Sequence, residues 1–205
     1  MNKKLICLLL VLLLALVCLS ACEQNDAVRL TEINRLLRLD YSEIEIEVLT
    51  EIENNVQLEG KYKVTRLSNG DTKVEYKYES INDFEIENGV ITAPDEFKSV
   101  YTGTAIVRNG VVAEHNGAEI SDGDITKYAT FSLTLRNSCF RKTNVNTNRF
   151  QAFVANGKEK ELFGEDFDGN DARIAVEFTD KAITMMEITY YRSGAKVTAY
   201  YVFTK

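Results

Sequence analysis

The chain has no tryptophan, one proline, one histidine and four cysteines in 205 residues. Each scarcity excludes something. A single histidine cannot build the usual zinc triad without help. It also leaves a cysteine nucleophile with one candidate base, His115, which nothing in the sequence ties to it. Three of the cysteines, Cys7, Cys18 and Cys22, crowd into the first 22 residues. The fourth, Cys139, has no disulfide partner in the rest of the chain, and a lone free thiol is most often a buried, inert one. No G-x-S-x-G, P-loop or dinucleotide fingerprint occurs. No repeat of fixed period and no low-complexity tract interrupts the chain.

What is present begins with MNKKLICLLLVLLLALVCLSAC. Lys3 and Lys4 form a positive end, Leu5 to Leu19 is uncharged and almost wholly aliphatic, and Ser20 and Ala21 are small. That order predicts a secretory signal over residues 1–21. The apolar run is short for a bilayer-spanning helix, which needs about 20 apolar residues. Leu19-Ser20-Ala21-Cys22 resembles the bacterial lipobox of type II signal peptides at all four positions. The resemblance implies that the Cys22 sulfur receives a diacylglyceryl group and that Cys22 becomes the acylated N-terminus. A thiolate suits that thioether chemistry. Each buried methylene contributes about 0.8 kcal/mol and stable anchoring takes more than one chain, a condition the diacylglyceryl group meets. Residues 22–27, CEQNDA, then read as a short tether. The expected location is extracytoplasmic, at a bacterial membrane.

Removing 21 residues, two of them lysines and none acidic, leaves 184 residues and takes the formal charge from −7 to −9. That length suffices for a single domain with a real core over residues 28–205. Such an acidic chain is a poor partner for nucleic acid or for polybasic docking on anionic lipid.

The pattern after residue 42 is that of strands. In EIEIEVLTEIE, Ile44, Ile46 and Val48 share one face while Glu43, Glu45 and Glu47 share the other. GKYKVTRL and TKVEYKYES flank Asn69-Gly70, and SVYTGTAIVR and VVAEH flank Asn109-Gly110, so each set predicts a hairpin. TFSLTLR places Phe131, Leu133 and Leu135 on one face, and RFQAFVA repeats this with Phe150, Ala152 and Val154. RIAVEF, AITMMEITYY and KVTAYYVF predict three further strands, joined antiparallel in sequence order. Pro94 in ITAPDEF marks a turn. One helix is expected, in VRLTEINRLLRL, with Ile33, Leu36 and Leu37 in its apolar stripe and Thr31 at its cap. The fold class is therefore mainly β: an antiparallel curved sheet, half-barrel or sandwich with one short N-terminal helix.

A short N-terminal helix, a meandering antiparallel sheet and a lipobox together are similar to the LolA/LppX group. That resemblance implies a curved sheet that carries lipid in its concave face. It transfers no motif residue.

Three constellations invite chemistry. DFDGNDARIAVE sets Asp166, Asp168 and Asn170 at positions one, three and five of a calcium loop and Glu177 at twelve. Asp171 stands where the loop needs glycine, so an Asx-rich turn is expected instead. SDGDIT, with Asp122 and Asp124, reads the same way. His115, beside Glu114 and Glu119, reads as an exposed turn residue. The tyrosines Tyr76, Tyr78, Tyr190, Tyr191, Tyr200 and Tyr201 suit cross-strand ladders within the sheet. No catalytic residue, cofactor or metal ligand is assigned; Cys22 is the single site residue. Three functions remain open. They are a non-enzymatic lipoprotein that binds an unidentified protein or ligand or supports the envelope, a carrier of lipid or another apolar ligand, and a hydrolase whose site would show as a concave cluster of titratable groups.

Overall fold

The computed structural model describes residues 28–205 apart from 53–54, 82–84, 88–89, 93–97 and 118–119. The expected signal, Cys22, the tether and the turn at Pro94 lie outside the described residues. Among the described residues no helix is long and apolar enough to cross a membrane.

The expected helix, α1, is present over residues 28–37. Leu30, Ile33 and Leu36, spaced three apart, are its buried stripe, while Leu37 is half-buried. The strands follow as β1 (Glu43–Ile52), β2 (Asn55–Arg66), β3 (Thr72–Ile81), β4 (Glu85–Glu87), β5 (Val90–Thr92), β6 (Lys98–Arg108), β7 (Val111–Gly117), β8 (Phe140–Val145), β9 (Arg149–Val154), β10 (Asn170–Phe178), β11 (Ile183–Arg192) and β12 (Ala195–Thr204). Two short helices, α2 (Asp122–Ala129) and α3 (Glu159–Phe163), lie between strands. Neither was expected from the periodicity.

Ten strands form one open antiparallel sheet in the order β7-β6-β3-β2-β1-β12-β11-β10-β9-β8, and β4 and β5 form a separate ribbon. The fold is thus two meanders joined where the first long strand pairs with the last, from Glu43 opposite Thr204 to Glu51 opposite Lys196. It is an open sheet and not a sandwich. The expected hairpins at Asn69-Gly70 and Asn109-Gly110 are found. At the β11–β12 turn, Ser193 and Gly194 have φ of 51° and 86°. Two positive values are what a type I′ turn requires, and they suit the twist of the flanking strands.

Alternation sends one set of side chains to each face. Ile46, Val48, Val64, Val74, Ile174 and Val197 lie on the inner face, in one continuous buried cluster with α1. The outer face carries cross-strand ion pairs such as Lys61–Glu47 at 2.8 Å, Lys63–Glu43 at 2.9 Å and Lys196–Glu51 at 2.8 Å. Exposed pairs of this kind are screened by water and contribute little, so the glutamates of β1 act as a wet strand face.

TFSLTLR differs from expectation. Leu133 and Leu135 are buried, but residues 131–136 belong to no strand. A side chain takes the place of a neighbouring ladder: the Asn34 amide donates to Leu135 O at 2.8 Å and its oxygen accepts from Leu135 N at 2.7 Å. A second tie comes from Tyr41, whose hydroxyl donates to Leu36 O at 3.0 Å and accepts from Ile183 N at 2.8 Å. It thereby joins the end of α1 to the start of β11. Tyr41→Phe strands the buried Ile183 N–H, and a buried donor without a partner costs about 1–3 kcal/mol. Urea denaturation should show a lower midpoint with an unchanged slope; an unaltered midpoint would mean that the bridge contributes nothing.

Candidate ligand-binding cleft

The inner face is covered in two pieces. Over the β7-to-β2 half lies α2, which packs against β2, β3, β6 and β7. Its start is well made: Ser121 caps it, the Ser121 Oγ accepting from Asp124 N at 3.1 Å and donating to the Asp124 carboxylate at 2.6 Å. Ile125 and Ala129, four apart, are its buried residues. SDGDIT is therefore a helix start and not a turn, and the Ser-x-x-Asp spacing is the signal that identifies it. Tyr128 on the same helix stacks on Tyr62 of β2, with ring centroids 4.0 Å apart.

The other piece is made of α1, residues 130–135, α3 and the segment that leads into β10. Between the two pieces the sheet is open. The floor there is the seam of the meanders, with Val48 of β1 opposite Ala199 of β12 and Ala199 opposite Ile188 of β11. Alanine at the middle of that row leaves a hollow. Around it stand Tyr128, Phe131, Phe163, Phe167, Tyr190 and Tyr201, which with the floor enclose a cavity of about 190 Å³. The rings touch: Phe131–Tyr201 at 4.9 Å, Phe163–Phe167 at 4.6 Å and Phe167–Tyr190 at 4.8 Å. Gly169 permits this approach, because a side chain there would run into the Phe167 and Tyr190 rings.

A second cavity of about 360 Å³ adjoins the first, sharing Val48, Lys127, Tyr128 and Tyr190 with it. Its lining is more polar and includes Ser121, Asp124 and Arg192. The cleft thus has an aromatic end and a polar end. Tyr201, at the aromatic end, is buried, and burial pushes its phenol well above the ordinary range, with the neighbouring Tyr190 adding to the shift.

The tyrosine ladders take another form than expected. Tyr78 does face Tyr101 across β3 and β6, stacked at 4.7 Å. Tyr190 and Tyr201 instead meet phenylalanines borne by loops. Tyr191 and Tyr200 register opposite Lys196 and Glu47, on the outer face. There an open groove of about 420 Å³ runs among Glu45, Glu47, Lys61, Lys63, Glu75 and Lys77. It is larger than either cavity of the cleft taken singly, but its walls carry both signs of charge, with Lys61 and Glu47 paired across it.

The other candidates separate. His115 is half-buried on β7, an edge strand, and is not an exposed turn residue. Its Nε2 lies 2.6 Å from the Tyr76 hydroxyl. Gly103 makes this reach possible, since a side chain there would collide with the Tyr76 ring. Cys139 is buried just before β8, the opposite edge, and burial pushes its thiol up, with Glu161 adding to the rise. The sole histidine and this thiol form no pair. Asp166 and Asp168 are exposed, Asp171 contacts Arg141 at 3.4 Å, and Glu177 faces Arg149 from along β10. Among the described residues no three His, Cys, Asp or Glu side chains converge as a metal site.

The buried phenol has a pH consequence. The folded state keeps the Tyr201 proton while the unfolded chain releases it as pH rises past about 10, so stability falls above that value. Tyr41 and Tyr76, also raised by burial, act in the same direction. Tyr201→Phe should therefore lessen, without abolishing, the loss of urea midpoint between about pH 8 and about pH 11. A wild-type loss that Tyr201→Phe leaves the same size would contradict the assignment.

No family model matches the chain, and no curated protein matches it.

Proposed function

We propose that this protein is a lipid-anchored, extracytoplasmic binding module that holds a small amphipathic ligand in the inner-face cleft. The observation that carries the reading is the aromatic hollow over Ala199, open at one end to a polar cavity. Small-molecule sites are concave, mostly apolar and furnished with a few polar groups, and this cleft has that make-up. Its position across the β1/β12 seam places it on rigid strands and not on a loop tip. The lipobox resemblance at Leu19-Ser20-Ala21-Cys22 supports the anchor. Attachment through Cys22 would keep the cleft near a membrane, where amphiphiles concentrate.

Size favours retention of a small molecule over carriage of a whole multi-chain lipid. The aromatic end, about 190 Å³, is below the roughly 300–1,000 Å³ of drug-sized pockets. It suits one short chain or ring. The role is non-enzymatic in this reading, because the cleft's titratable groups are phenols, one lysine, one arginine and a carboxylate engaged in capping α2.

Two measurements test the two halves separately. Cys22→Ser should abolish incorporation of labelled fatty acid and leave residues 1–21 uncleaved; a variant that is still acylated, or that still begins at residue 22, would remove the anchor. Ala199→Leu fills the hollow from the floor. It should weaken binding of a short amphiphile such as octanoate at least about tenfold, a loss of about 1.4 kcal/mol. Equal binding by a folded Ala199→Leu protein would remove the cleft as the site.

A further inference from the structure

We propose that the cleft selects an anionic amphiphile, with its tail among the aromatic rings and its carboxylate or phosphate head at Lys127; this inference rests on the cleft being the binding site.

The polar end decides the sign of charge. Lys127 lines both cavities, so its side chain stands where the aromatic hollow passes into the polar groove. It projects from the last turn of α2, whose buried residues Ile125 and Ala129 turn the opposite way, and its side chain is exposed. Among the described residues it makes no ion pair; its ammonium lies 5.7 Å over the Tyr128 ring. Most other lysines near the cleft's strands are committed: Lys61, Lys63, Lys73, Lys77 and Lys196 all hold glutamates. The groove's one acid, Asp124, accepts from the Ser121 hydroxyl and keeps its negative charge, which the two cations of the lining, Lys127 and Arg192, outnumber. Arg192, which has a partner of its own, is the second cation of the lining. The result is a locally cationic mouth on a protein of formal charge −7, which would otherwise repel anions.

The aromatic end decides the tail. A lysine over the Tyr128 ring at the edge of the aromatic end also disfavours the opposite choice, a quaternary ammonium. Aromatic cages attract cations through the ring faces, but here a fixed positive charge sits at the entrance. A neutral tail can enter without cost, and the anion then meets Lys127 at the rim.

The test compares head groups on one tail. Octanoate, octanol and octylammonium are titrated calorimetrically into the full-length protein in phosphatidylcholine nanodiscs, with protein-free discs as the blank. Octanoate should bind about two- to fivefold more tightly than octanol, the value of one exposed charge pair, and octylammonium more weakly than either. Lys127→Gln should bring octanoate down to the octanol level and leave octanol unchanged. Octanol binding as well as octanoate, octylammonium binding best, or octanoate unaffected by Lys127→Gln would each overturn the head-group assignment while leaving the cleft in place. Failure of all three probes to bind would overturn the cleft reading and this inference with it.

Discussion

The pairing of β1 with β12 is the constraint on which the rest of this protein depends. It joins two meanders that would otherwise end in two more exposed edges, and an unpaired edge is a row of unsatisfied N–H and C=O groups. It also makes the inner face continuous. Val48, Ala199 and Ile188 form one row because β1 lies beside the β11–β12 hairpin, from which it is distant in sequence. The hollow over Ala199 exists only at that seam. Such a closure is entropically late, since most of the chain must be placed before its ends can meet. Tyr41 reinforces it, bridging α1 to β11 across 142 residues of sequence.

The two faces of the sheet do different work because their side chains come from alternate positions of the same strands. The outer face is a lattice of lysine and glutamate that neutralises itself across strands. Its value is solubility, and its open groove among paired charges has little left over to hold a ligand. The inner face is apolar and is covered unevenly. One cover is α2, fastened by Ile125, Ala129 and the Tyr62–Tyr128 stack. The other is an irregular segment fastened by Asn34, whose amide serves Leu135 as a neighbouring strand would. Where the covers fail to meet, aromatic side chains line the gap.

That division gives the proposed function its physical form. A lipid on Cys22 would hold the body near a membrane, and the cleft would take up an amphiphile there. Tail and head would be read by different chemistry: area for the tail, charge for the head. The two ends of the cleft are supplied by different elements, rings from loops and strands at one, a helix lysine at the other, so each contribution can be altered alone.

Much of this was legible in residues 1–205 read as a string. The acidic and aliphatic alternation of EIEIEVLTEIE defines the two faces of β1, and the Asn-Gly and Ser-Gly pairs place the hairpins, because both are properties of neighbours two or three positions apart. The apolar stripe of α1 is equally local. Ser121 and Asp124 also announced α2, although acids in a turn-like setting obscured the cap. The cleft was not legible. Phe163 and Phe167 lie in segments without strand or long-helix periodicity, Phe131 lies in one that alternates yet forms no strand, and nothing local says that the three gather over Tyr190 and Tyr201. TFSLTLR alternates as a strand does, yet Asn34 from a distant helix occupies the edge where a partner strand would run. Local pattern determined which side chains face inward; strand order and the packing of irregular segments over the β1/β12 seam decided which of them meet, because contacts between distant residues follow from the whole chain's closure and not from any window within it.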